Sequence, residues 1–150
     1  MWWFLLLKSV HVLSAITAVG ANLTYGMWGV LGERDSDHLG FALRGIKFLD
    51  DRLANPAYGL LVVTGILMAV LVYSITTVFV LIGIGLFVVL AIGGGAGYGP
   101  ALKRQIQVLD TGGRDDPAYK AADARATGIG VFLGVVAIAA VFVMVYKPGL

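Results

Sequence analysis

Long apolar stretches separated by charged segments dominate the chain. Stretches without a charged residue run over Ser9–Gly32, Leu53–Leu102 and Ala126–Tyr146. A helix needs about 20 apolar residues to cross a bilayer, so the middle stretch, with 50 residues, holds two crossings joined by a tight turn near Tyr73-Ser74. The pattern predicts one all-α domain over residues 1–150, with four transmembrane helices over about 3–31, 56–73, 75–98 and 119–146.

Composition supports a membrane protein. Hydrophobic residues make up 59% of the chain and charged residues 13%, with a mean hydropathy of +0.88, whereas soluble domains carry about 25% charged residues. This balance excludes a nucleic-acid binder and predicts the lipid bilayer as the surroundings. The absence of cysteine excludes disulfides, thiolate zinc sites and iron–sulfur clusters.

The distribution of basic residues predicts the orientation in the membrane. Of the 11 Lys and Arg residues, nine lie in the two polar segments between spans one and two and between spans three and four, and only Lys8 and Lys147 lie on the other side. Because basic residues favour the cytoplasmic side, we expect both polar segments to be cytoplasmic and both termini to lie outside.

The first polar segment also has a helical pattern. Apolar positions recur there every three or four residues, at Ala42, Ile46, Leu49 and Leu53. This spacing predicts an amphipathic helix over residues 40–54 on the cytoplasmic surface, ended by Asn55-Pro56, because the residue before a proline avoids the helical region. The fold class is therefore a transmembrane four-helix bundle with an amphipathic cytoplasmic helix between spans one and two.

Small and polar residues form a stripe along the first span. The stripe has alternating spacings of three and four residues and consists of Lys8, His11, Ala15, Ala18, Asn22, Tyr25 and Gly29. The opposite side carries the apolar residues Val12, Leu13, Ile16, Val19 and Leu23. Since small and polar residues mark helix contacts in lipid, we expect the stripe to face the other helices.

His11 is the most informative residue of this stripe, because an ionisable group inside a membrane span is costly and suggests function. Imidazole commonly ligates haem iron, so His11 is a candidate metal ligand of haem b. The haem would lie between helices one, two and four. The competing interpretation is a neutral histidine that is hydrogen-bonded to a neighbouring helix. Lys8, Asn22, Tyr25 and Arg52 complete the candidate cofactor site. Lys8 also suits the lipid headgroups, and Arg52 suits either a lipid phosphate or a propionate-like group.

Glycines in spans three and four allow two interpretations. Gly130 and Gly134 form a pair of small residues four apart, and glycine recurs through 93–97. They either permit close helix packing or leave room for a flat cofactor. Tyr98, near the end of span three, is predicted to be an interfacial aromatic residue.

Several short motifs resemble a family of small bacterial four-span membrane proteins. They are Leu7–Ala15 with Gly20, Leu53–Ala57 followed by Thr64-Gly65, Tyr98-Gly99 with Lys103-Arg104, and Val145–Pro148. The group includes a family of predicted integral membrane proteins of unknown function. It is remotely similar to membrane protoporphyrinogen IX oxidases and copper-resistance D-type domains.

This resemblance implies a bacterial cytoplasmic membrane location and, through the oxidases, binding of b-haem at His11. The oxidases typically begin span three with a His-x-Lys element, whereas this chain has Ser74–Val78 at that point. Two functions follow as hypotheses. One is a haem- or porphyrin-binding protein in electron transfer or haem metabolism, and the other is a non-catalytic accessory subunit of a larger membrane complex. Either is compatible with a homo-oligomer, and a small transporter is a weaker third hypothesis because few polar groups lie at membrane depth.

Overall fold

Four long helices make up the protein in a computed structural model that describes residues 2–149. Their bounds are α1, Trp2–Arg34; α2, Leu39–Leu71; α3, Val78–Gly112; and α4, Pro117–Tyr146. Each is long and apolar enough to cross a membrane, and no strand occurs in the described residues. The predicted all-α class with four spans is confirmed.

The helices define two ends of the bundle. At one end, Lys147 Nζ donates a hydrogen bond to the Tyr73 hydroxyl at 3.0 Å, and Phe4 packs edge-on against the Tyr73 ring. The start of α1, the end of α4 and the turn between α2 and α3 thus meet at this end, which we call the terminal end. The connections Arg34–Leu39 and Gly112–Pro117 meet at the opposite, charged end, where Arg114 pairs with Glu33 at 3.0 Å.

The connections follow their local sequence signals. Asp116 caps α4 by accepting a hydrogen bond from the Ala118 backbone N–H at 2.8 Å, and Pro117 occupies the first turn. α3 ends where Gly113 takes a φ of +77°, a conformation that favours glycine. The turn between α2 and α3 is longer than the sequence predicts, because α2 ends at Leu71 and α3 begins at Val78.

The helix predicted over residues 40–54 differs from the structure at its end. The amphipathic segment Leu39–Leu49 continues without a break into the span Asn55–Leu71 through a π-helical turn, Asp50–Ala54. Asn55-Pro56 does not interrupt the helix, because Pro56 lies in the first turn of the α-helical part that follows the wider turn.

The π-helical turn also changes which residues face inward. It inserts one extra residue, so the inward face shifts by about 100°. Ala42 and Ile46 are buried as expected, but Leu53 is 43% exposed and Ala54 takes its place at 0% exposure. Leu39–Leu49 packs on α1 and on the last part of α3.

The main hydrophobic cluster lies at the charged end. Its largest fully buried side chains are Leu39 of α2, Leu102 of α3 and Tyr119 of α4. α2 has 33 residues and is about 50 Å long, whereas the hydrocarbon core is about 30 Å thick. The helices therefore extend beyond the lipid at this end, where water drives apolar side chains together.

Within the spans, the helices form two hairpins. α1 packs mainly on α2, and α3 packs mainly on α4. α1 also contacts α4, and at the charged end the first part of α2 contacts the last part of α3. The hairpins are thus joined firmly at one end and less closely along the spans.

We expect Leu102→Ala to lower the free energy of unfolding by about 2–5 kcal/mol, because it leaves a cavity in the cluster. Leu13→Ala, at a site that is 62% exposed on the outer face of α1, serves as the control. Unfolding in mixed micelles measures both changes. An equal cost for the two variants would contradict the position of this core.

Candidate ligand-binding cavity

A cavity of about 920 Å³ lies between the two hairpins and is lined by all four helices. It extends from the middle of the spans towards the charged end, with Asn22 and Leu23 at one limit of α1 and Glu33 and Arg34 at the other. Ligand pockets in proteins usually measure about 300–1,000 Å³. The cavity therefore has the size of a small-molecule site.

Glycines form much of its wall. A Cβ atom added at any of six lining glycines would meet no atom within 4 Å, and these are Gly26, Gly29, Gly59, Gly94, Gly95 and Gly134. Close helix packing does not explain these positions. Gly29, Gly94 and Gly134 are half-buried in the wall, whereas Gly26, Gly59 and Gly95 are exposed where the cavity opens at the surface.

Other glycines do permit close packing. A Cβ at Gly32 would lie 2.9 Å from the Ala42 Cβ, and one at Gly130 would lie 3.2 Å from the Tyr98 ring. Both interpretations of the glycine content thus hold, for different residues. The predicted pair Gly130 and Gly134 divides between them, since Gly130 packs and Gly134 opens into the cavity.

Polar groups gather in one part of the cavity wall. The Tyr25 hydroxyl faces Asp50 Oδ1 at 3.4 Å, and Asn22 Nδ2 donates a hydrogen bond to the Tyr58 hydroxyl at 2.5 Å. The Tyr98 ring stacks on the Tyr25 ring with a centroid distance of 6.0 Å and an interplanar angle of 2°. Tyrosines from three helices, Tyr25, Tyr58 and Tyr98, thus line the cavity together with the carboxylate of Asp50.

Two π-helical turns place these groups. Asp50 opens the turn Asp50–Ala54 in α2, and Tyr98 closes the turn Gly93–Tyr98 in α3. Turns of this kind are rare and occur frequently at functional sites, where they re-aim side chains. Here both turns border the same cavity.

A second polar cluster lies at the charged end of the cavity. The Tyr119 hydroxyl donates to Glu33 Oε1 at 2.7 Å, and Gln105 Nε2 donates to Asp123 Oδ1 at 2.8 Å. Arg114 neutralises Glu33. This network joins α1, α3 and α4 and gives the buried Gln105 a partner, as a buried amide requires.

His11 lies outside the cavity, on the contact between α1 and α2. Its Nδ1 atom is 2.8 Å from Thr64 Oγ1, and Thr64 Oγ1 donates its single proton to the Leu60 carbonyl at 2.6 Å. When Thr64 Oγ1 donates to the Leu60 carbonyl, His11 Nδ1–H donates to Thr64 and Nε2 of the neutral ring carries no proton. This is the hydrogen-bonded histidine of the competing interpretation.

The stripe on α1 mostly faces protein, as expected. Ala18 and Tyr25 are buried, His11 and Asn22 are half-buried, and Lys8 is exposed. On the opposite side, the apolar residues Val12, Leu13, Ile16 and Leu23 are exposed.

The five predicted cofactor-binding residues do not form one site. Asn22 and Tyr25 line the cavity, but His11 precedes Asn22 by 11 residues, or about 16 Å along the helix. Lys8 and Arg52 are exposed and make no hydrogen bond or ion pair with another described residue. A single haem that is held by His11 and seated among the cavity glycines does not fit this arrangement.

Three cavity residues were not identified from the sequence as parts of a site. Tyr98 was predicted only as an interfacial aromatic residue, and the structure shows its half-buried ring in the cavity wall, stacked on Tyr25. Neither Asp50 nor Tyr58 was singled out. A signal for Asp50 exists, because it follows Leu43 by seven residues and Ile46 by four, on the inward face of the amphipathic segment. No comparable sequence signal marks the stacking of Tyr98 on Tyr25.

Groups of three or more His, Cys, Asp or Glu side chains with metal-binding geometry do not occur among residues 2–149. No curated protein and no solved structure matches the chain, so the remoter resemblance to protoporphyrinogen oxidases and copper-resistance domains stays a prediction. Residues 5–148 match the family described as "Predicted integral membrane protein (DUF2269)". The chain is an integral membrane protein with four candidate spans and belongs to this family.

Proposed function

We propose that this protein binds an amphipathic small molecule in the cavity between its two hairpins. The wall of glycines whose absent side chains leave open space carries the proposal. Glycine costs a helix interior about 0.5–1 kcal/mol relative to alanine, and at these positions no packing contact offsets that cost. Contacts with a ligand that fills the space would offset the cost of these glycines.

The lining fits such a ligand. Most of the wall is apolar, and the few polar groups of Asn22, Tyr25, Asp50 and Tyr58 converge at one place. Small-molecule sites combine an apolar wall with a few polar groups in this way. The apolar body would lie against the glycines, and the polar end would meet the tyrosines.

Ligation of haem b by His11 is a second candidate, favoured by the unprotonated Nε2 that the Thr64 contact leaves. The haem would have to lie at the α1–α2 contact rather than in the cavity, because the cavity carboxylates of Glu33, Asp50 and Asp123 would repel its propionates. The role of an accessory subunit in a membrane complex stays a prediction.

Filling the cavity tests the first candidate. The probe is a photoreactive decanol added to the protein in nanodiscs, with labelled residues identified by mass spectrometry. We expect labelling at the cavity wall in the native protein and about tenfold less in Gly59→Leu and Gly94→Leu, which corresponds to about 1.4 kcal/mol of lost binding.

Gly85→Leu is the matched control. Gly85 lies outside the cavity wall, and its added Cβ likewise meets nothing within 4 Å. Unchanged cavity labelling in the Gly59 and Gly94 variants, or labelling confined to lipid-facing residues in the native protein, would contradict the proposal.

The absorption spectrum tests the second candidate. A haem bound at His11 gives the purified protein a Soret band and weaker visible bands in a spectrum recorded over about 350–650 nm, and His11→Ala removes them. Protein from haem-replete cells without any band in this range, or a band unchanged by His11→Ala, would rule out His11 as the ligand.

A further inference from the structure

The polar part of the cavity has the chemistry of an ammonium site. Ammonium groups are recognised by the faces of aromatic rings, with the negative charge of a nearby carboxylate adding to the attraction. Tyr25, Tyr58 and Tyr98 supply rings from three helices, and Asp50 supplies the carboxylate. Resting on the proposed function, we propose that the bound amphiphile carries an alkylammonium head held by Asp50 and these tyrosines.

Asp50 lacks a cationic partner among the described residues. Lys47, in the preceding turn, pairs instead with Asp51, at 2.5 Å, and each of the other ion pairs also uses a carboxylate different from Asp50. The hydrogen bond from Tyr25 is long, at 3.4 Å. The Asn55 side chain is a second, uncharged partner of Asp50. A half-buried carboxylate that has only uncharged partners gains more from a bound cation than a solvated one does.

The charge of the whole lining favours the same ligand. Glu33, Asp50 and Asp123 face the cavity against the single guanidinium of Arg34, and Glu33 is already paired with Arg114. An anionic head would meet uncompensated carboxylates, whereas a cationic one would meet Asp50.

The π-helical turns support a recognition role for this part of the wall. Asp50 lies on the inward face of Leu39–Leu49 and begins the turn in α2, whereas Tyr98 ends the turn in α3, which therefore determines the direction of the stacked ring. The glycines of the turn in α3, Gly94 and Gly95, line the cavity beside Tyr98. The apolar tail therefore has open wall next to the head site.

Competition among three decyl compounds tests the head group. Decyltrimethylammonium, decanol and decanoate each displace the photoreactive decanol from the cavity of the native protein in nanodiscs. We expect decyltrimethylammonium to reach half-displacement at a concentration at least about fivefold below that of decanol, within the range of cation–π and carboxylate contributions, and decanoate to require the highest concentration.

Variants show which residues cause the preference for the ammonium compound. Asp50→Asn should bring the ammonium and alcohol compounds to the same half-displacement concentration, while Asp37→Asn, at an exposed residue outside the cavity wall, should keep their difference. Tyr98→Leu should reduce the preference without removing it. Nanodiscs of phosphatidylglycerol, with or without phosphatidylethanolamine, show whether the ligand is a lipid or a free compound. If phosphatidylethanolamine, an ammonium lipid, occupies the site, its presence raises all three displacement concentrations.

The outcomes separate this inference from the proposed function. Equal displacement by the three compounds, stronger displacement by decanoate, or a preference that survives Asp50→Asn would overturn the ammonium site while leaving the cavity as a binding site. Failure of the photoreactive decanol to label the cavity at all would overturn both.

Discussion

Burial of apolar side chains at the charged end holds the rest of the structure in place. Lipid tails are as apolar as leucine, so the hydrophobic effect does not drive helices together inside the membrane. It acts where the helices emerge into water, and there Leu39, Leu102 and Tyr119 form the fully buried centre of the main cluster. Because this cluster joins both hairpins, the spans need not pack closely along their whole length. The cavity therefore exists because the hairpins are held together at the charged end and not along the spans.

The two π-helical turns lie between the tightly packed end and the open spans. Each adds one residue to its turn and so changes the direction of every side chain that follows. In α2 the change turns Leu53 outward and buries Ala54, while Asp50 faces the cavity beside Tyr25. Packing and ligand chemistry are therefore linked, because the same local irregularity serves the core on one side and the cavity on the other.

The sequence predicts the architecture well and the site only in part. Four spans follow from charge-free length, and the inward stripe on α1 follows from its spacing, so Asn22 and Tyr25 were placed correctly on a protein-facing surface. The π-helical turns have no clear sequence signal, and a periodicity argument that assumes a regular helix fails beyond Asp50. The choice between packing and cavity-lining glycines needs coordinates, because it depends on the distance to a neighbouring helix. His11 drew attention through its cost in a membrane, but Thr64, 53 residues away, provides its hydrogen bond.

The stability of two glycine variants on α1 tests most directly whether the helices are tight at the charged end and open at the cavity. Gly32 lies against Ala42, whereas the added Cβ at Gly26 meets nothing. We predict that Gly32→Ala lowers the free energy of unfolding by about 1–3 kcal/mol through overpacking, and that Gly26→Ala raises it by about 0.5–1 kcal/mol through helix propensity. A loss of stability of similar size in both variants would show that α1 is packed throughout and that no cavity separates the hairpins.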